Sequence, residues 1–181
     1  MTTKGDIYTV RRLTVEVPGV REFQRRYEEA VPPHPTKEVH ELIRDGAPWS
    51  EVLELIEEAA THGFLLYWTN DVHPVMQLAG HGADCISYLM GNVTIAERMF
   101  RHDPRVMLYA PLHTVIWEDA GGQSWFTADQ PSTQFGSFGI PEVASVGVEL
   151  DRKLAALLET LDVEVPMTLL SEHAISPDSR Q

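Results

Sequence analysis

The sequence predicts an α+β fold, an antiparallel sheet with helices packed mainly on one face. Three observations carry this. Residues 106–118 and 124–128 are apolar runs joined by Ala120-Gly121-Gly122, the pattern of a β-hairpin. Elsewhere, helical stripes of period three and four are interleaved with short apolar runs. None of those runs leads into a glycine-rich phosphate fingerprint of the kind that marks doubly wound parallel sheets.

Taken in order, residues 7–17 place Val10, Leu13, Val15 and Val17 among charged residues and stop at Pro18-Gly19, which predicts a strand. From Val20 the period changes. Val20, Phe23, Tyr27 and Ala30 form one helical stripe, ended by Pro32-Pro33. A second helix is expected from Thr36 to Asp45, closed by Gly46. Pro48 opens a third, with Val52, Leu53, Ile56, Ala59 and Ala60 on its apolar face. Phe64 to Trp68 is a continuous apolar run, expected as a strand buried on both sides. A short helix from Val72 to about Leu78 leads to a small-residue loop, and Cys85 to Met90 reads as a strand ending at Gly91-Asn92. Thr94-Ile95-Ala96-Glu97 has the form of a capping box for a helix that Asp103-Pro104 breaks. Val106 to Glu118 is the longest strand candidate. Gln130-Pro131-Ser132 falls in a loop, and the last helix starts at Pro141 and carries Val143, Val146, Leu150, Leu154, Leu157 and Leu161. Residues 162–181 show no period and are expected to be a C-terminal tail to a single domain spanning 1–161.

Composition narrows the function. The 181 residues include 27 acidic and 14 basic side chains, a formal net charge of −13. Such a surface repels phosphate backbones and anionic lipid, so neither nucleic acid nor a membrane is an expected partner. No apolar run approaches the roughly 18–20 residues of a bilayer span, and Met1-Thr2-Thr3-Lys4-Gly5-Asp6 lacks a signal-peptide core. Cys85 is the only cysteine, which rules out an intrachain disulfide and a four-cysteine zinc site. A reducing cytoplasm is the expected location.

Candidate chemistry rests on few residues. His81, Asp84 and Cys85 could each ligate a metal, yet H-x-x-D-C matches no metal-site spacing, and the favoured reading is a small buried cysteine opening a strand with His81 and Asp84 shaping the turn. Cys85 with His81 as base is a candidate nucleophile pair without an oxyanion-hole signature. His113 shares a predicted strand face with Tyr109 and Trp117, so it is either a satisfied core histidine or one facing a cavity. His102 suits a helix C-terminus, with metal ligation as the rival role. Gly91, Asn92 and Thr94 sit between a strand and a helix start, where free amides can bind an anion, or simply turn the chain.

Several segments occur together in a recognisable order: His62-Gly63-Phe64-Leu65-Leu66, Tyr88-Leu89-Met90-Gly91-Asn92 with Thr94-Ile95-Ala96-Glu97-Arg98, Leu108 to Val115, and Asp129-Gln130-Pro131. Over about residues 48–161 the chain resembles the domain of unknown function 302 family. The resemblance implies a TATA-binding-protein-like α+β architecture with a curved sheet, and pairing as a homodimer. Val93 stands where members usually carry proline, and residues 18–47 look like an added helical segment. The expected function is a small-molecule-binding or accessory domain, with a pocket between sheet and helices lined by Gly91, Asn92, Thr94, Tyr109, His113 and Trp117. The rivals are an enzyme using His113 with His81 or Asp84 as proton carriers, and a metal or haem protein using His81, Cys85, His102 or His113. No cofactor is identified from the residues.

Overall fold

Alternating residues on β3 show how the sheet divides the molecule. Ile86, Tyr88 and Met90 are fully buried, while Cys85, Ser87 and Leu89 are only partly covered. A computed structural model describes residues 4, 5 and 7–171 of the chain. Its strands are β1 (Arg12–Glu16), β2 (Leu65–Asp71), β3 (Cys85–Gly91), β4 (Leu112–Glu118) and β5 (Ser124–Asp129). They pair antiparallel throughout in the order β1-β5-β4-β3-β2, leaving the sheet open. The helices are α1 (Val20–Ala30), α2 (Thr36–Asp45), α3 (Trp49–Ala59), α4 (His73–Leu78), α5 (Val93–Phe100), α6 (Pro131–Gly136), α7 (Pro141–Thr160) and α8 (Met167–Leu170). This is the α+β class that the sequence predicts. Among the described residues no helix is long and apolar enough to cross a membrane.

One sheet face receives α1 and α7. The α1 stripe of Val20, Phe23, Tyr27 and Ala30 is buried as its spacing predicts. Aromatic rings fill the space beneath it: Tyr27 meets Tyr88 at 5.0 Å between centroids, and Phe23 meets Phe126 edge-on at 5.9 Å. The polar atoms in this layer are paired, since the Tyr27 hydroxyl lies 3.0 Å from the Thr114 hydroxyl and the Tyr88 hydroxyl donates to Glu28. A smaller apolar cluster of Ile56, Ala60 and Leu65 ties α3 to the start of β2.

Local structure departs from expectation in four places. Residues 104–108 form a 3₁₀ turn instead of opening the long strand, because the Asp103 carboxylate accepts the Arg105 amide ahead of Pro104. β4 therefore begins at Leu112, and Tyr109 lies off the strand. β2 is an edge strand: Phe64, Leu65 and Leu66 are buried, but Trp68 is half exposed. The cap of α5 is Asn92, whose side chain accepts from the Thr94 amide, while Glu97 pairs with Arg101 one turn on. Gln130-Pro131-Ser132 opens α6, not a loop.

Asp151, buried in α7, holds α6 by accepting from the Ser132 amide at 2.9 Å and from Gln130 Nε2 at 2.6 Å. The two helices touch closely at Gly147, where a Cβ would meet the Ser132 Cα at 3.1 Å. Beyond Leu161, the side chains of Val163 and Leu169 are buried, although the sequence there shows no period. Residues 172–181 of the expected tail, and residues 1–3 and 6 of the N-terminal segment, lie outside the described residues.

Candidate functional site

The second face of the sheet carries no helix stripe comparable to α1, and pairing register decides what it presents. β3 sets Leu89 opposite His113, Ser87 opposite Val115 and Cys85 opposite Trp117. β5 sets Thr127 opposite Val115 and Trp125 opposite Trp117, and β1 adds Arg12 against Asp129 and Thr14 against Thr127. Period-two alternation puts all of these on one side.

A groove of about 530 Å³ runs over this face, lined among others by Arg12, Thr14, Asp84, Cys85, His113, Val115, Trp117, Thr127 and Asp129. Its polar groups are held in place. Ser87 Oγ and His113 Nε2 lie 2.6 Å apart, a diagonal cross-strand hydrogen bond. The Trp117 indole donates to Thr127 Oγ1 at 2.9 Å, and that hydroxyl lies 3.1 Å from the Thr14 hydroxyl. Arg12 donates to Asp129 at 3.1 Å. The Trp125 indole reaches back to Asp119, which also accepts the Gly121 and Gln123 amides of the hairpin turn.

His113 is thus neither a core histidine nor one facing a cavity under the helices. It is exposed on the open face. The layer between sheet and helices is filled by the rings described above, and the groove that His113 borders lies on the opposite side.

The expected site residues separate into groups. His113, Trp117, Asp84 and Cys85 all border the groove. Asp84 is occupied by Arg21, which donates to its two oxygens at 2.7 and 3.2 Å, and His73 Nδ1 lies 3.3 Å away. Arg21 also donates to Asp71 at 2.6 Å and holds that carboxyl below its usual range. Burial, helped by the Asp71 charge, pushes the Cys85 thiol up, which disfavours the thiolate a nucleophile needs. His81 is exposed in the 79–84 loop and does not line the groove. His102 is exposed beside Arg98 and Arg101 at another surface. Among the described residues no three His, Cys, Asp or Glu side chains are placed to share a metal ion.

Gly91, Asn92, Thr94 and Tyr109 are not brought to His113. Gly91 packs against Pro111, where a Cβ would approach to 3.2 Å. Asn92 spends its amide on the Gly63 carbonyl and its oxygen on the Thr94 amide and hydroxyl. Tyr109 turns its ring edge-on to Phe135 and Phe138 and pairs its hydroxyl with that of Tyr8.

Sequence reasoning missed Ser87, Arg12, Thr14, Thr127 and Asp129. Alternation on each strand places Ser87 with Cys85 and Leu89, and Thr127 with Trp125. Only the register between strands shows that they meet His113 and Trp117.

A sequence model of the family described as "Domain of unknown function DUF302" matches residues 44–161. The chain is similar in structure to an uncharacterized conserved DUF302 protein from Bacillus stearothermophilus, with a TM-score of 0.59 and 19% identity. That likeness covers 83% of this chain and 97% of the other. A search of curated proteins finds no significant match. At that identity the structural likeness speaks for the fold alone, and the family match spans well over half of the sequence. The chain belongs to the DUF302 family.

Proposed function

We propose that the chain is a small-molecule-binding module whose recognition surface is the groove on the open sheet face. The observation that carries this reading is the groove's make-up. A solvent-facing antiparallel sheet ordinarily alternates to polar residues, whereas here Leu89, Val115, Trp117 and Trp125 share that face with a few fixed polar groups. An apolar floor with few, oriented hydrogen-bonding groups suits a flat organic ligand bearing one polar substituent near His113 and Ser87. Binding is favoured over acyl-transfer catalysis. The Ser87–His113 contact has a nucleophile and a base, but among the described residues no carboxylate accepts from the other ring nitrogen of His113.

The test is chemical-shift mapping with 2-naphthol as probe. Saturable shifts are expected for Ser87, His113, Val115 and Trp117, and they should vanish in Val115→Asp, which places a charge on the groove floor. Absence of saturable shifts in the folded wild type, or unchanged binding in Val115→Asp, counts against the proposal.

A second copy of the chain is the rival occupant of the same face, and the half-exposed Trp68 beside Leu89 favours it. Sedimentation equilibrium separates the two. A wild-type dimer that Val115→Asp converts to monomer makes this face a subunit contact and removes the ligand reading.

A further inference from the structure

The two edges of the sheet differ. On the outer side of β2, Leu66 donates to the Pro32 carbonyl and accepts from the His34 amide, and the register slips between Leu66 and Trp68. Bridging segments and bulges of this kind block the addition of another strand. β1 carries neither. Its residues pair with β5 without a shift, and nothing among the described residues pairs with its other side.

The parity of that pairing shows what the free edge offers. Arg11 accepts from the Gln130 amide and Val17 donates to the Ser124 carbonyl, so odd-numbered residues turn their backbone groups to β5. The amides and carbonyls of Arg12, Thr14 and Glu16 therefore point outward, and all three residues are exposed. Their side chains lie on the open face. Arg12 bonds Asp129 through Nε, which leaves its terminal nitrogens for a second carboxylate.

We propose that β1 is a contact between two copies of the chain, paired antiparallel about a two-fold axis at Thr14, so that two five-stranded sheets join into one. Three features choose this occupant. Outward-facing residues must meet each other across the new pairing, which excludes every register one residue away. Of those left, the register centred on Thr14 overlaps the whole strand. It places Arg12 opposite Glu16 of the second copy, and Glu16 opposite its Arg12, so opposite charges meet twice. On the other face, Leu13 of the second copy covers Val15, which is only partly buried on its own chain.

The contact bears on the groove, because Arg12 and Thr14 stand at its border. The two open faces become continuous, and Glu16 of the second copy is set beside Arg12 at the groove's end. Each outward pairing exchanges two backbone hydrogen bonds. Set against the cost of association, that makes a reversible dimer.

The experiment is sedimentation equilibrium of the full chain up to about 1 mM, with amide hydrogen exchange at Thr14 followed by NMR. Expected is a monomer–dimer equilibrium in the wild type, with exchange at Thr14 slowing as concentration rises. Arg12→Glu and Glu16→Arg each set like charges face to face twice. Each should dimerise at least about tenfold more weakly than the wild type. Mixed together, the two variants restore opposite charges at both pairings and should form a heterodimer about as tight as the wild-type dimer. A wild type that stays monomeric overturns the proposal, as does a mixture that associates no better than its folded components. A dimer that Val115→Asp breaks and Arg12→Glu does not lies on the open face, and also overturns it. So does a Thr14 amide protected equally at every concentration, since the chain's own residues would then cover the edge. The wild-type exchange measurement stands whatever the variants do.

Discussion

Asp151 shows how one buried side chain can organise a region that sequence patterns leave blank. Its carboxylate ties Ser132 and Gln130 to α7, and Gln130 in turn donates to the Thr168 carbonyl near α8. Removing it in Asp151→Ala leaves the Ser132 amide and part of the Gln130 amide without acceptors in a buried place. A loss of about 1–3 kcal/mol in urea unfolding is expected. Burial raises the Asp151 carboxyl, so the fold prefers its protonated form. Its favourable contribution is then complete below the unfolded value of about 3.9 and declines as pH rises through the raised folded value. The stability gap between wild type and Asp151→Ala should accordingly narrow from pH 4 to pH 7. A gap that widens would falsify this reading. In the sequence, Gln130-Pro131 was visible as a motif and Asp151 as one acidic residue on a long helix. Nothing local distinguishes an aspartate on a buried helix face from one in solvent, because its partners lie some twenty positions away.

At the scale of elements, the helical stripes were legible because period 3.6 is a property of neighbours along the chain: α1 and α7 bury the residues that their spacing names. The errors came where local chemistry competed with pattern. The run from Val106 to Glu118 is apolar enough for a strand, yet the Asp103 cap turns its first third into a 3₁₀ segment and carries Tyr109 away from His113. Long-range ties between elements were invisible for the same reason as Asp151. Arg21 on α1 clamps Asp71 at the end of β2 and Asp84 before β3. These pairs are part-exposed, so Arg21→Ala should cost no more than about 1 kcal/mol at neutral pH. The pH dependence is the sharper readout. Arg21 holds the Asp71 carboxyl below its usual value, so the stability linked to it is present above about pH 4 and is lost as pH falls through the depressed value. In acid titrations followed by circular dichroism, Arg21→Ala should show a flatter acid limb than wild type. Identical limbs would show that the clamp carries no linkage.

For the molecule as a whole, the sheet separates a filled side from an open one, and β4 samples both with adjacent residues. Ile116 is fully buried against the helices, and its neighbour Val115 is partly covered on the open face. Ile116→Ala should therefore destabilise by about 2–5 kcal/mol, whereas Val115→Asp should cost under about 1 kcal/mol while altering the groove. Differential scanning calorimetry of the two variants measures this directly. A similar loss for both would mean that the open face is covered in solution, as a second copy would cover it.

The sequence by itself determined the α+β class, the antiparallel hairpin, the main helices and the family. All of these rest on periodicity, turn chemistry and motif order, which are readable along the chain. Tertiary structure alone decided which sheet face the helices cover, that His113 meets Ser87 on the other, and that β1 is left as an edge of the sheet. Those outcomes depend on strand order, register and helix placement, which bring together residues more than a hundred positions apart, as in Arg12 with Asp129, and leave no trace in local sequence.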